Sequence, residues 1–296
     1  MSTPLERYPK LAGAIGVPGI YFKREDLHPY GSHKGRSIPI MIKHYLKGGD
    51  SRFAISSSGN AALAAALFVR ESNDRREGAG GKEKPIGLDI FIGQHASPHK
   101  AIRLKELADD HIRVMVKERP LQALNEAVKE GARSLRQSTD DVALIGYEPL
   151  AAELGEIKGA GAVMIGTSSG TTAQALAAYF TKKKLSIQVH IVQTSSCHPL
   201  SESFESYDGP DETSTADAIV DKTAHRKDVL IPLIEKTGGR GWVATNDDIR
   251  AAQELTEKHA GLEISANSAL SVAGVMKATS IGWKFPGAVV CMICGE

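Results

Sequence analysis

The sequence predicts an α/β protein made of two open three-layer α/β/α domains with mainly parallel sheets. Two observations carry this expectation. Short β-branched runs alternate with longer stretches of helical periodicity, and such alternation implies parallel sheets covered by helices on both faces. The chain has 296 residues, more than one open α/β domain usually spans, so two lobes are expected.

Strands are expected at 52–56 (RFAIS), 86–92 (IGLDIFI), 112–116 (IRVMV), 142–147 (VALIGY), 162–166 (AVMIG), 187–193 (IQVHIVQ) and 288–293 (AVVCMI). Each is a short apolar run rich in branched side chains. Helices are expected at 34–46, 60–72, 98–108, 120–136, 171–181, 247–258 and 266–278. The segment 78–84 (GAGGKEK) follows a charged helix end and precedes an apolar strand, so it reads as a solvated connector. A second break covers 207–215, rich in Asp, Glu, Ser and Gly.

Composition excludes several classes. Hydrophobic residues make up 42% and charged residues 24%, an ordinary globular balance, and the net charge is +1. No electrostatic footprint for nucleic acid or an acidic membrane surface is present. The longest apolar stretch, 61–69, falls well short of the roughly 18 residues a membrane helix needs. The opening MSTPLERYPK lacks the layout of a signal peptide, so a cytoplasmic location is expected. Three cysteines argue against a disulfide framework. Cys291 and Cys294 have C-x-x-C spacing, but in a strand positions three apart point to opposite faces, so one metal or one disulfide is not expected to join them. The histidines are scattered, and no metal site is expected.

Three turns can carry chemistry. In 23–37 (KREDLHPYGSHKGRS) a Pro/Gly/Ser turn leads to Lys34, where helical periodicity starts. A lysine that begins a helix stands at the positive end of the dipole, which favours the neutral amine that a Schiff-base lysine needs. Most single lysines are solvated charges, so this turn alone is weak evidence. In 56–66 (SSSGNAALAAA) a strand ends in serines, and Gly59 and Asn60 open a small-residue helix. Its backbone N–H groups and hydroxyls suit a carboxylate, although an ordinary capped helix looks the same. In 163–172 (VMIGTSSGTT) an apolar strand feeds a Gly/Ser/Thr turn and then a helix, a suitable cradle for phosphate. It is neither a Walker loop nor a dinucleotide fingerprint.

The order of these three turns resembles the tryptophan synthase β family, the fold type II group of pyridoxal-phosphate enzymes, from about Tyr21 to Glu296. The resemblance implies pyridoxal 5'-phosphate as cofactor, held in the cleft between the two lobes. Lys34 would form the Schiff base and shuttle the substrate's α-proton. Asn60 would hydrogen-bond the cofactor's 3-hydroxyl. Ser57, Ser58 and Gly59, with Asn60, would bind the substrate carboxylate. Gly166, Thr167, Ser168, Ser169, Gly170 and Thr171 would hold the cofactor phosphate. Cys294 would stand at the pyridine nitrogen. The implied smaller lobe is 36–148, carrying the Ser-Gly-Asn loop, and the larger lobe is 1–35 with 149–296, carrying the phosphate turn. A homodimer is implied as well.

Within the family, Val192-Gln193 with 197–200, the segment 214–219 (STADAI) and the segment 263–269 (EISANSA) are similar to threonine synthases. His33 before the lysine and KREDL at 23–27 resemble tryptophan synthase β chains, and Cys294-Gly295 resembles serine and threonine dehydratases. The turn at 166–172 resembles that of cysteine synthases. The aspartate that often follows the lysine is replaced by Gly35. The expected activity is therefore that of a lyase acting on a small amino acid with a side-chain leaving group, threonine synthase-like, converting O-phosphohomoserine to threonine. Lys23, Arg24, His33 and Arg36 are the basic candidates for that substrate's phosphate. A serine/threonine dehydratase and a cysteine synthase-like β-replacement are the alternatives. A non-catalytic partner subunit on the same fold is the reading of a different class, suggested by a chain that ends where such relatives continue.

Overall fold

In the computed structural model, which describes residues 2–78, 80, 83–94, 96–210 and 212–295, the chain divides into two units. One is Met1–Leu27 with Tyr147–Glu296; the other is His28–Gly146. Ala79, Gly81 and Lys82 of the 78–84 connector, Asp211 of the 207–215 break and the terminal Glu296 lie outside the described residues. The divisions fall at 27/28 and 146/147, against the 35/36 and 148/149 read from sequence. The turn before Lys34 belongs to the smaller unit because its side chains pack there: Tyr30 meets Phe68 edge-to-face with ring centroids 6.0 Å apart.

The elements of the first half are β1 (Leu5–Arg7), α1 (Pro9–Ile15), β2 (Ile20–Arg24), α2 (Lys34–Lys47), β3 (Arg52–Ser56), α3 (Asn60–Gly78), β4 (Gly87–Gly93), α4 (Pro98–Lys105), β5 (Ile112–Lys117), α5 (Pro120–Lys129), β6 (Arg133–Ser134) and α6 (Val142–Ile145). Those of the second half are α7 (Glu148–Gly155), β7 (Ala160–Gly166), α8 (Thr171–Lys183), β8 (Gln188–Thr194), α9 (Lys227–Thr237), β9 (Gly241–Ala244), α10 (Asn246–Ala260), α11 (Ala266–Ser280) and β10 (Ala288–Ile293).

The smaller unit is a parallel sheet in the order β5-β4-β3-β6. Alternation along β3 sorts its core. Phe53 and Ile55 meet Ile38, Met41 and Ile42 of α2 and the small-residue face of α3. Ala54, between them, faces Leu124 and Ala127 of α5. Period-two alternation thus buries both faces, and each fully buried Phe or Ile stabilises by about 1.5–3 kcal/mol relative to exposure.

The strand expected at 142–147 is instead the short helix α6. Local hydrogen bonds outweigh the apolar run there. Asp140 Oδ1 accepts from the Val142 N–H at 2.9 Å, and the buried Ser37 hydroxyl of α2 donates to the Ala143 carbonyl at 2.7 Å. Gly146 then passes so close to α2 that an added Cβ would lie 2.4 Å from the Ser37 Cα. The helix expected at 120–136 stops at Lys129, because Gly131 takes φ +91° and Arg133–Ser134 joins the sheet beside Phe53 and Ala54.

The larger unit holds a six-stranded sheet in the order β1-β2-β10-β7-β8-β9. The β1–β2 pair is antiparallel and the others are parallel. Ala162 and Met164 of β7 join one core cluster with residues of α1, α10 and α11. The opposite face carries α8 and α9, which pack against β8. A buried imidazole pins β8 to β9: His190 Nδ1 accepts from Trp242 Nε1 at 3.2 Å, while Nε2 lies 3.1 Å from Gln188 Oε1. Burial, with Arg240 adding to it, pushes the His190 pKa down to about 3, so the ring is neutral. No helix among the described residues is long and apolar enough to cross a membrane.

Candidate active site

Lys34 is the first residue of α2, as expected from the turn that precedes it. The turn is built by His28-to-Gly31 pairing, with the Gly31 N–H donating to the His28 carbonyl at 2.7 Å and Gly31 at φ +79°. Ser32, fully buried, then accepts from the Lys34 N–H at 3.2 Å through its hydroxyl. That bond satisfies one of the orphan donors at the helix start. Gly35 explains the missing aspartate: a Cβ at that position would lie 2.3 Å from His28 Nδ1 and 2.8 Å from Tyr30 Cβ. The sequence pointed to the lysine but not to His28 or Ser32, which hold its turn.

The serine-rich turn ends β3 and starts α3 at Asn60. Ser57 Oγ accepts from the Gly59 N–H at 3.2 Å, which leaves the Ser57 hydroxyl hydrogen to donate elsewhere. Ser57, Ser58, Gly59 and Asn60 are all partly exposed. The lysine turn lies against this helix, since a Cβ on Gly31 would meet Leu63 Cδ2 at 2.9 Å. Lys34 and the Ser57–Asn60 turn therefore occur together in the smaller unit.

Gly166–Thr171 connects β7 to α8 in the larger unit. Gly170 is the N-cap of α8, at φ +79° and with no side-chain cap. A Cβ there would lie 2.5 Å from Leu230 Cδ2, so both conformation and space require glycine. The Thr167 hydroxyl accepts from the Gly170 N–H at 3.1 Å, and Ser169 Oγ lies 2.9 Å from Thr171 Oγ1. Backbone N–H groups and hydroxyls gathered at a helix N-terminus are donors of the kind that suit an anion.

Segments far apart in sequence hold this turn. Gln193 donates through Nε2 to the Ser168 carbonyl at 3.1 Å and accepts the Leu200 and Ser201 N–H groups at 2.8 and 3.0 Å. Ser168 Oγ accepts from the N–H groups of Val220 and Asp221, both at 3.0 Å. Asn267 receives the Ala218 N–H on Oδ1 at 3.0 Å. Asn267 thus ties down the 214–219 segment that leads into 220–221, while Gln193 and the 220–221 backbone brace the turn directly. Arg226, 5% exposed, also reaches it, and nothing in its local sequence signalled that. Cys294 follows β10 and is buried; its N–H donates to Ser268 Oγ at 3.1 Å, and Ser265 Oγ donates to the Gly295 carbonyl at 2.8 Å. Cys291, inside β10, is fully buried, and burial pushes its thiol up to about 12, which leaves it inert.

Of the four basic candidates, Lys23 and Arg24 are engaged by carboxylates. Lys23 is 3% exposed and donates to the Thr3 carbonyl at 2.7 Å and to Glu153 Oε2 at 2.6 Å. Arg24 binds Asp26 through Nε and Nη2, at 3.0 and 2.7 Å, and Glu6 through Nη1 at 2.9 Å. Arg36 is buried in the first turn of α2, and His33 is partly buried at its N-cap.

Fold and turns together define an α/β enzyme scaffold whose polar groups gather at helix starts after parallel strands. The family described as pyridoxal-phosphate dependent enzyme matches residues 1–295, and the chain belongs to it. Its cofactor is pyridoxal phosphate. A threonine synthase of Mycobacterium leprae is 25% identical over 314 residues, covering 99% of this chain and 81% of that protein. A threonine synthase of Methanosarcina acetivorans is 35% identical over 66 residues, 22% of this chain and 16% of that protein. A crystal structure of a pyridoxal 5'-phosphate-dependent aspartate racemase superposes with a TM-score of 0.81 at 19% identity, covering 100% of this chain and 90% of the other, which supports the fold.

The residues present fit that cofactor. Gly170 holds φ +79° at the start of α8, the hydroxyls of Thr167, Ser169 and Thr171 gather at that turn, and a lysine heads α2 in a turn tight enough to demand Gly35.

Proposed function

We propose that this chain is a pyridoxal-phosphate lyase acting on a small amino acid that carries a leaving group on its side chain, with threonine synthase-like chemistry on O-phosphohomoserine. The observation that carries the reading is the order of three helix starts, Lys34 at α2, Asn60 at α3 and Thr171 at α8, in a chain that is 25% identical to a threonine synthase over 99% of its length. When bound, the cofactor supplies an electrophilic carbonyl and an electron-withdrawing ring.

The chain's own residues do the rest. Lys34 anchors the cofactor, takes the substrate's α-proton on Nζ and returns a proton later. Asn60 donates its amide to the ring oxygen. The hydroxyls of Ser57 and Ser58, with the α3 N-terminus, orient the substrate carboxylate. The turn Gly166, Thr167, Ser168, Ser169, Gly170 and Thr171 binds the phosphate. Cys294 serves the ring nitrogen with a neutral thiol. That thiol cannot stabilise a positive ring nitrogen as a carboxylate would, which favours prompt expulsion of the leaving group. A soluble enzyme working as a homodimer in the cytoplasm accords with this reading.

Incubating the purified protein with O-phosphohomoserine should release threonine and inorganic phosphate in equal amounts. If neither appears while serine or threonine is converted, the specific assignment is wrong. That second outcome defines the alternative, a serine/threonine dehydratase, and one observation favours it: Lys23 and Arg24 are already engaged by carboxylates, so neither is available to a phosphate-bearing side chain. Its signature is ammonia and a 2-keto acid.

A further inference from the structure

We propose that Gln193 is a positioning residue for the cofactor phosphate: its amide turns the Ser168–Ser169 peptide so that the Ser169 N–H, and not the Ser168 carbonyl, is offered to the anion. The proposal rests on the reading above that the 166–171 turn holds that phosphate. Strands β7 and β8 pair in register up to Gly166 and Val192, and the Thr167 N–H adds one more bond, to the Val192 carbonyl at 3.0 Å. There the chain leaves the sheet. The next residue of β8, Gln193, is fully buried. Its side chain takes over from the backbone ladder, with Nε2 donating to the Ser168 carbonyl at 3.1 Å. Its Oε1 accepts the Leu200 and Ser201 N–H groups at 2.8 and 3.0 Å.

The direction of the amide is fixed by these partners. Two N–H groups converge on one end and a carbonyl stands at the other, so a flipped amide would set donor against donor and acceptor against acceptor. The direction of the amide in turn fixes the turn. The Ser168–Ser169 peptide is trans, and a planar trans peptide points its carbonyl and its N–H in opposite directions. Held by its carbonyl, it aims the Ser169 N–H away from Gln193. Among the described residues that N–H meets no acceptor. A peptide flip would replace this donor with a carbonyl oxygen, which repels an anion. The Ser168 side chain is fixed independently. Its Oγ accepts from both Val220 and Asp221, each at 3.0 Å, so its lone pairs are used and its hydrogen is left to donate. Ser168 and Ser169 thus contribute a hydroxyl and an amide donor, the second of them set by Gln193.

The test compares two ligands that differ only in the phosphate. Full-length protein freed of cofactor is titrated at pH 8 with pyridoxal 5'-phosphate and with pyridoxal, following absorbance of the lysine-bound form. Wild type is compared with Gln193→Glu and Gln193→Met. Gln193→Glu keeps an acceptor for Leu200 and Ser201, and those two donors favour the ionised carboxylate, which has no hydrogen for the Ser168 carbonyl. Gln193→Met removes the donor without adding charge. Both variants should lose about ten-fold or more in affinity for the phosphorylated ligand, the scale of one charge-assisted hydrogen bond. Pyridoxal affinity should change by less than about two-fold. The phosphorus NMR shift of the bound cofactor should move in both. Equal weakening of the two ligands, unchanged affinity for the phosphorylated one, or an unmoved phosphorus signal overturns the inference. So does a loss confined to Gln193→Glu, which is charge repulsion alone. Should Gln193→Met not fold, Gln193→Asn takes its place: neutral and one methylene too short to reach both ends, it should show the same selective loss. A wild type that never forms the lysine-bound species would instead defeat the cofactor-site reading itself, so the two failures are distinguishable.

Discussion

At the scale of single residues, the lysine turn is set by what cannot be added to it. Gly35 faces the His28 ring at a distance where any Cβ would overlap, 2.3 Å from Nδ1 and 2.4 Å from Cε1. The ring is itself fixed, since Nδ1 accepts from the Tyr30 N–H at 3.1 Å. Gly35→Ala should therefore displace His28 or the first turn of α2, at a cost of about 1–3 kcal/mol, the usual range for overpacking. Urea unfolding would read that loss, and unchanged stability would mean that the turn is looser than the packing indicates. The same reasoning explains why the sequence pointed to Lys34 but not to its supports. Lys34 announces itself by starting a periodic helix. Ser32 and His28 act through local hydrogen bonds and packing, which carry no periodic signal. Arg226 was invisible for a different reason: its partner lies on another helix, and only the tertiary fold brings them together.

At the scale of elements, caps and buried polar groups decide where segments begin and what stability they add. Helix α10 opens with a complete capping box, Thr245 accepting from the Asp248 N–H at 3.2 Å while Asp248 accepts from the Thr245 N–H at 2.8 Å. Thr245→Ala should cost about 0.5–2 kcal/mol, read by thermal or denaturant unfolding. The β8–β9 contact makes a pH prediction. His190 is buried and held near 3, below its ordinary 6.5, with the Trp242 indole N–H and the Arg240 backbone N–H donating to Nδ1. Between those values the unfolded chain binds a proton that the folded chain does not. Stability from this group is full above about pH 6.5 and declines as pH falls toward 3, by at most about 1.4 kcal/mol per pH unit. Denaturation at pH 7 and pH 4.5 should show a larger drop for wild type than for His190→Gln; equal drops would contradict it. The long strands with strong apolar runs, β3, β4, β7, β8 and β10, were readable from sequence. The short ones, β1, β6 and β9, were not, because two to four residues give no periodicity and their place is fixed by neighbours in the sheet. The run at 142–147 misled because apolar content alone does not separate a buried strand from a buried helical turn.

At the scale of the whole molecule, the residues proposed for the cofactor come from both units: Lys34 and Asn60 belong to His28–Gly146, the 166–171 turn and Cys294 to the other. The sequence showed these groups in order but not the bracing around them. Gln193 and the Val220 N–H meet at Ser168, while the neighbours Asn267 and Ser268 on α11 accept the Ala218 and Cys294 N–H groups, contacts visible only once the fold places these segments side by side. Because the cofactor binds the folded chain, it should also stabilise it by mass action, about 2.7 kcal/mol at a hundred times its dissociation constant. Thermal unfolding with and without pyridoxal phosphate would read this, and Lys34→Ala should keep only the part owed to the phosphate turn. The central claim, that Lys34 carries the cofactor, has a more direct test. The protein is incubated with pyridoxal phosphate, reduced with borohydride, digested and mapped by mass spectrometry. The account predicts one pyridoxyl-modified peptide, carrying the label on Lys34 and absent from Lys34→Ala. Label on a different lysine, or no label at all, would contradict it.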